Sequence, residues 1–402
     1  MMFGHGRPPN VGAPPQQQPS DPELHDEHRD EAADHEEDLR VSGLLADKRR
    51  LAGIGLVFVL AIGAIYFIAP RLLGLDEAID RLDEAVWYWV VIAVLFNVAA
   101  FAAYVALFRG ILGGRDSSDV RDRLDAKASY QITMAGLAAT RIFSAAGAGG
   151  IVLTYWALRK AGMPRRRSAC RMVAFLVLTY SVYFGALVVF GVLLRTGVLP
   201  GEAPFGGTIV PAVVAGALML LLGLVALIPG DFERRLSGVA GEGRGARLAQ
   251  RLASVPATLS TGVRTAIDYL SHPSRGALAV GGAIGFWAAQ IGVLWASFEA
   301  FGGDVAFGVL VQGFFVGMAA NLIPSPAGGV GSVDAGMIGA FLLFGVPSGV
   351  VFPAVLTYRV IAFWLPIPPG VVAYFQLRHT VAMWEAQRRG YTSKSKVTAE
   401  AM

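Results

Sequence analysis

Six stretches of this chain are almost wholly apolar for twenty residues or more: 51–70, 86–107, 172–194, 209–228, 277–299 and 350–375. A helix of about 20 apolar residues is what crossing the hydrocarbon core of a bilayer requires. Backbone groups inside lipid have no water to bond, so an isolated run of this length must close its hydrogen bonds within a helix. Hydrophobic residues make up 54% of the chain and charged residues 16%, against about 25% charged in ordinary soluble domains. Lipid, rather than an oversized soluble core, accounts for that shortfall. The expected fold class is therefore an all-α, polytopic membrane protein with about six full spans. The last span carries prolines at 366, 368 and 369. Each removes a backbone donor, so this helix must kink or break.

Two further apolar stretches do not read as simple spans. Ser129–Leu158 is interrupted by SAAGAGG at Ser144–Gly150, with Gly147, Gly149 and Gly150 as the breaking residues. Val305–Phe344 is interrupted by IPSPAGGVG at Ile323–Gly331, with Pro324, Pro326, Gly328, Gly329 and Gly331. Non-helical backbone at membrane depth persists only where protein or a water-filled cavity covers it. Both stretches read as re-entrant or broken helical hairpins lining a cavity.

Charge orders the topology. Of 34 basic residues, 27 fall in 40–50 just before the first span, in the stretches 109–127, 159–171 and 230–276, or after the last span. The intervening loops hold only Arg71, Arg81 and Arg195. Basic residues flanking spans mark the cytoplasmic side, so both termini are expected in the cytoplasm. The excess of Arg over Lys and the abundance of Ala and Gly suggest a bacterial source, with the chain in the plasma membrane. The segment from Lys127 to Arg159 then starts and ends on one side, as a hairpin does. Placing Arg141 over Asn321 sets RIFSAAGAGGI over NLIPSPAGGVG with the glycine clusters nearly in register. Three crossings separate the two hairpins, so halves related in this way would be inverted. Inverted repeats with broken helices near the midplane recur in secondary transporters.

The termini differ in kind from the middle. Residues 1–47 are rich in Pro, Gly and Gln and then in Asp, Glu and His, which is the composition of a disordered, solvated cytoplasmic tail. Residues 48–380 form the expected transmembrane domain, and 381–402 a basic cytoplasmic tail. The delayed first apolar run reads as a permanent anchor rather than a secretory leader. The single cysteine, Cys170, excludes an internal disulfide framework and a cysteine-rich metal site. No metal, cofactor or nucleic-acid partner is expected.

Ionisable residues at membrane depth mark function by default. Arg141 precedes the first break, Asp334 follows the second, and Arg359 sits inside the last span; Glu299 ends the fifth span. Asp334 and Arg359 can offset each other's desolvation as a pair. A guanidinium on a cavity suits phosphate oxygens because its planar fork meets them two at a time. Helix N-termini at the breaks would add free N–H groups. Asn321, Ser325, Thr140, Ser144 and Gln312 can add neutral hydrogen bonds. Tyr155, Trp156, Tyr180, Tyr183, Tyr358 and Trp364 read as interface anchors. Arg165–Arg167 can hold anionic lipid at the cytoplasmic leaflet.

IPSPAGGVGSVDAGMIGAFLLFGVP followed by LTYRVIAFWLP resembles the lysylphosphatidylglycerol synthase transmembrane-region family, a flippase-like domain once classed as an uncharacterised protein family. AATRIFSAAGAGGIVLTYWALRKAGMP is similar to that family's first Gly-rich hairpin, and the resemblance covers roughly residues 50–380. It implies a Pro/Gly-rich loop, then an acid, then an Arg in a later helix, matched here by Asp334 and Arg359. The acid is more often Glu in the family, and relatives often carry charges where this chain has IVLTYWAL. The resemblance implies translocation of a phospholipid or a polyprenyl-phosphate-linked lipid between leaflets. Family members that make aminoacylated lipid carry an added cytosolic domain, for which no piece here is long enough to bury a core. Substrate-binding residues are then expected at Arg141, Asn321, Ser325, Asp334 and Arg359, with no enzymatic activity. The alternative is a non-transporting partner or scaffold for a separate lipid-modifying enzyme, and a homo-oligomer also stays open.

Overall fold

The computed structural model describes residues 85–112, 120, 123–142, 148–227, 244–322, 329 and 331–400. The acidic tail, the first expected span at 51–70 and the centres of both breaks lie outside the described residues. With them lie Ser144, Gly147, Pro324, Ser325, Pro326 and Gly328.

Among the described residues every element is helical. In chain order they are α1 Trp87–Leu112, α2 Ala126–Ile142, α3 Ala148–Lys160, α4 Arg165–Arg195, α5 Phe205–Ala226 and α6 Arg244–Ser271. There follow α7 Pro273–Glu299, α8 Phe307–Met318 with a 3-10 turn Ala319–Leu322, α9 Ser332–Leu343, α10 Ser348–Arg359, a wide turn Val360–Trp364, and α11 Ile367–Glu400. Five segments are long and apolar enough to cross a membrane: α1, α4, α5, Gly276–Glu299 and the broken helix Ser348–Gln387. These are the expected spans two to six. The protein is a multi-pass membrane protein.

Both interrupted stretches fold back as hairpins. The arms α2 and α3 pack together, and so do α8 and α9. Each hairpin is preceded by a long helix, α1 or α7, and those two helices pack along their lengths. The approach depends on small residues, since lipid gives apolar helices no hydrophobic reason to associate. A Cβ on Gly110 would sit 2.6 Å from the Ala279 backbone nitrogen, and one on Gly282 would overlap the backbone of Leu107. The halves also exchange contacts reciprocally. The first arm of the first hairpin packs on α11, which follows the second hairpin; the first arm of the second packs on α4, which follows the first. Two apolar clusters result. One joins Leu107, Ile132, Leu158 and Leu178 to Leu377 around the first hairpin. The other joins Leu187 and Leu194 to Phe298, Phe314 and Phe341 around the second. Outside them, α5 turns Val213, Leu220 and Leu224 outward, exposed, as a lipid-facing helix must.

One element departs from the expectation. Residues 230–276 read as a basic loop, yet Arg244–Ser271 is a helix of 28 residues. Its Ser260, Val263 and Ala266 are buried at three-residue spacing, and it packs on α4, α5 and α7. Interspersed arginines keep its mean hydropathy low and hide the apolar stripe.

The helix ends that carry the basic residues lie together. Arg171 Nη1 donates to the Leu112 carbonyl at 2.6 Å and Arg264 Nε to that of Ala226 at 2.7 Å. Lys160 pairs with Glu385 at 2.8 Å. Cations at the C-terminal carbonyls of α1 and α5 suit the negative end of each helix.

Candidate functional site

The site starts from the break in the last span. Pro366 has no N–H, so the Ala362 carbonyl loses its ordinary helical donor four residues on. Leu365 N–H reaches back five residues to Val360 O at 2.9 Å, which frees the Ile361 carbonyl as well. Side chains from elsewhere bond these two carbonyls and that of Phe363 beside them. Asn97 Nδ2 donates to Ile361 O at 2.8 Å, Arg141 Nη2 to Ala362 O at 2.9 Å, and Arg141 Nη1 to Phe363 O at 2.8 Å. Arg141 thus ties the first hairpin to the broken helix across more than two hundred residues of sequence.

The second hairpin is tied to the same helix by Arg359. Gly331, with φ of +85°, caps α9, a backbone conformation that side chains with a Cβ rarely adopt. Asp334, in the first turn of α9, accepts the Gly331 N–H on Oδ2 at 2.9 Å. Its Oδ1 lies 2.5 Å from Arg359 Nε. That contact is an ion pair without aligned hydrogen-bond geometry. Arg359 Nη2 also donates to the Gly329 carbonyl at 3.2 Å. Both guanidiniums lie over the Phe363 ring, Arg141 at 5.1 Å and Arg359 at 4.5 Å from its centroid.

These elements enclose a cavity of about 390 Å³, within the range of ligand pockets. The first hairpin lines it with Thr140, Arg141, Gly150 and Thr154, the second with Asn321, and the last span with Tyr358, Arg359 and Phe363. Gly150 is required for closeness: a Cβ there would overlap Thr140 Oγ1 and the Gly136 carbonyl across the hairpin. Helices α1, α4 and α7 add an aromatic wall of Tyr104, Phe175, Tyr180, Phe286 and Trp287, with Tyr104 4.9 Å from Phe286 between centroids.

Of the expected site residues, Arg141, Asn321 and Arg359 line the cavity. Asp334 stands behind Arg359 rather than on the lining. Gly149 lies in the first turn of α3, beside Gly150. Gln312 is elsewhere, donating to Gly207 O at 3.0 Å. Tyr183 and Tyr358 were expected at the membrane interface, but both are buried in the bundle. Their hydroxyls donate to Phe315 O at 2.6 Å and Gln290 Oε1 at 3.1 Å; tyrosine at depth is retained because the phenol finds an acceptor. Sequence reasoning passed over Asn97 and Gln290. Each is a lone amide inside an otherwise apolar span, and that was the available signal.

Known proteins corroborate the frame. Two proteins of Methanothermobacter thermautotrophicus, each named UPF0104 membrane protein, are similar to this chain. One is 29% identical over 86 residues, 21% of this chain and 26% of the relative. The other is 33% identical over 87 residues, 22% of this chain and 26% of the relative. The chain thus spans about a quarter of the length of these curated relatives. No solved structure matches it significantly. The family model described as lysylphosphatidylglycerol synthase TM region matches residues 51–370, which contain both hairpins, the break in the last span and the residues that line the cavity. The chain belongs to the lysylphosphatidylglycerol synthase TM region family.

Proposed function

We propose that this protein moves an anionic, phosphate-bearing lipid between leaflets, with the headgroup held in the cavity between the two hairpins. The observation that carries the reading is charge at depth. Two arginines line the cavity and one aspartate stands behind it, so a formal charge of +1 is left over among these residues. A phosphodiester supplies the single negative charge that balances it. Each guanidinium has five N–H donors. Arg141 commits two nitrogens to carbonyls, and Arg359 commits Nη2 to Gly329 and Nε to the ion pair. Each keeps donors for phosphate oxygens. The hydroxyl of Thr140 already donates to the Gly136 carbonyl at 2.9 Å, so its oxygen is left as an acceptor for a headgroup hydroxyl or amine. Asn321 offers an amide. The aromatic wall suits the less polar part of a headgroup. The family takes its name from the synthase of a phosphate-bearing lipid. In this reading the basic face of the bundle is cytoplasmic and the membrane is a bacterial plasma membrane.

Occupancy is tested with Thr154→Cys in a Cys170→Ser background, so that the only thiol faces the cavity. A short-chain phosphatidylglycerol is expected to slow maleimide labelling at Cys introduced there by about tenfold at saturation, and phosphatidylcholine to slow it far less. Equal protection by both lipids, or none by either, contradicts the reading.

A further inference from the structure

A second recess lies at the basic end of the bundle. It has a volume of about 720 Å³ and is lined by Arg166, Arg167, Cys170 and Arg171 of α4, by Thr261, Thr265, Asp268 and Tyr269 of α6, and by Gly110 of α1 and Pro164. Its described lining holds three arginines and one aspartate. Its lining adjoins that of the cavity described above along two helices. On α4 the recess ends at Arg171 and the cavity begins at Met172, continuing through Phe175, Thr179 and Tyr180. On α1 Gly110 faces the recess, while Leu112, Phe108 and Tyr104 face the cavity. Arg171 stands at the junction and holds the Leu112 carbonyl.

We propose that this recess is a loading site, which takes the phosphate-bearing headgroup of an anionic phospholipid at the basic face and presents it to the cavity. The surroundings favour a lipid over free phosphate. Helix α6 is amphipathic, and beside the recess it leaves Leu259, Ile267 and Leu270 exposed. A helix with exposed apolar residues next to basic ones lies at the headgroup boundary, where acyl chains meet the former and headgroups the latter. Arg166 and Arg167 are exposed on the first turn of α4, whose N-cap, Pro164, offers no side-chain bond. The positive end of the helix therefore adds to the guanidiniums. The presentation step rests on the cavity reading; binding at the recess does not.

Cys170 is the chain's only cysteine and lines the recess, so it reports occupancy without engineering. The experiment measures maleimide labelling of Cys170 in the solubilised full chain. The probes are short-chain phosphatidylglycerol, short-chain phosphatidylcholine and inorganic phosphate. The quantity read is the ratio of labelling rates with and without probe, which removes any effect of a variant on the thiol itself. Phosphatidylglycerol is expected to protect Cys170, and the other two are not. Arg166→Gln with Arg167→Gln should raise the concentration needed roughly thirtyfold, from the loss of two hydrogen bonds of ordinary net strength to the phosphate. Lys at both positions should largely keep the protection. Three results would overturn the proposal: unchanged protection in the double Gln variant, equal protection by inorganic phosphate, or equal protection by phosphatidylcholine. Because the cavity is probed separately at Thr154→Cys, failure of one site leaves the other reading standing.

Discussion

Pro366 cannot donate to Ala362, and the wide turn frees Ile361, so a row of carbonyls at membrane depth needs donors from other helices. Asn97 and Arg141 are those donors. Arg359, one residue before the turn, is left to the second hairpin, where Asp334 and the Gly329 carbonyl hold it. The two arginines therefore differ. Arg141 is fixed chiefly by backbone, and Arg359 chiefly by a carboxylate that a stronger anion can replace. Removing one partner of a buried pair costs about 3–5 kcal/mol, because the other charge is stranded. Asp334→Asn should lower the thermal midpoint in detergent accordingly, and adding Arg359→Gln should recover much of the loss. A single variant as stable as the wild type would show that the pair carries little. Part of this was legible in the sequence. Asp334 and Arg359 stand out as charges in apolar surroundings, and their types suggest a pair. The target of Arg141 was not legible, because nothing near residue 141 indicates carbonyls more than two hundred positions away.

The helical hairpin is the unit that brings the breaks to the cavity, and it depends on how closely its arms approach. Gly150 sits where α3 crosses the Gly136 and Thr140 turn of α2. Gly150→Val should force the arms apart and destabilise the protein by about 1–3 kcal/mol, as overpacking does, with a matching fall in thermal midpoint. Gly281, on the exposed side of α7, has open space around its Cβ position. Gly281→Ala is the control and should be neutral or slightly stabilising. Equal effects at the two positions would contradict the close-packing argument. The hairpins could be read from their Gly and Pro clusters, since such residues cannot sit in a lipid-exposed helix without partners. Helix α6 could not, because its charges mask a stripe of small apolar residues that shows only once α4, α5 and α7 are in place.

At the scale of the whole molecule, length and apolarity settle most of the architecture. Runs of about 20 apolar residues read as spans, and among the described residues five of them are helices long and apolar enough to cross a membrane. The reciprocal packing of each hairpin on a helix from the other half shows only in the fold, because which helices meet is a tertiary fact. In the proposed function the arginines at the junction of these halves hold a lipid headgroup as it crosses the bilayer. The direct measurement is leaflet transfer of a fluorescent phosphatidylglycerol in proteoliposomes, comparing the wild type with the charge-neutral pair Asp334→Asn and Arg359→Gln. The double variant keeps the formal charge at +1, on Arg141, but removes the Arg359 guanidinium without stranding the acid, so insertion and fold should persist while transfer, which uses both guanidiniums on the phosphate, falls at least tenfold. Transfer at the wild-type rate by a folded double variant would contradict the account.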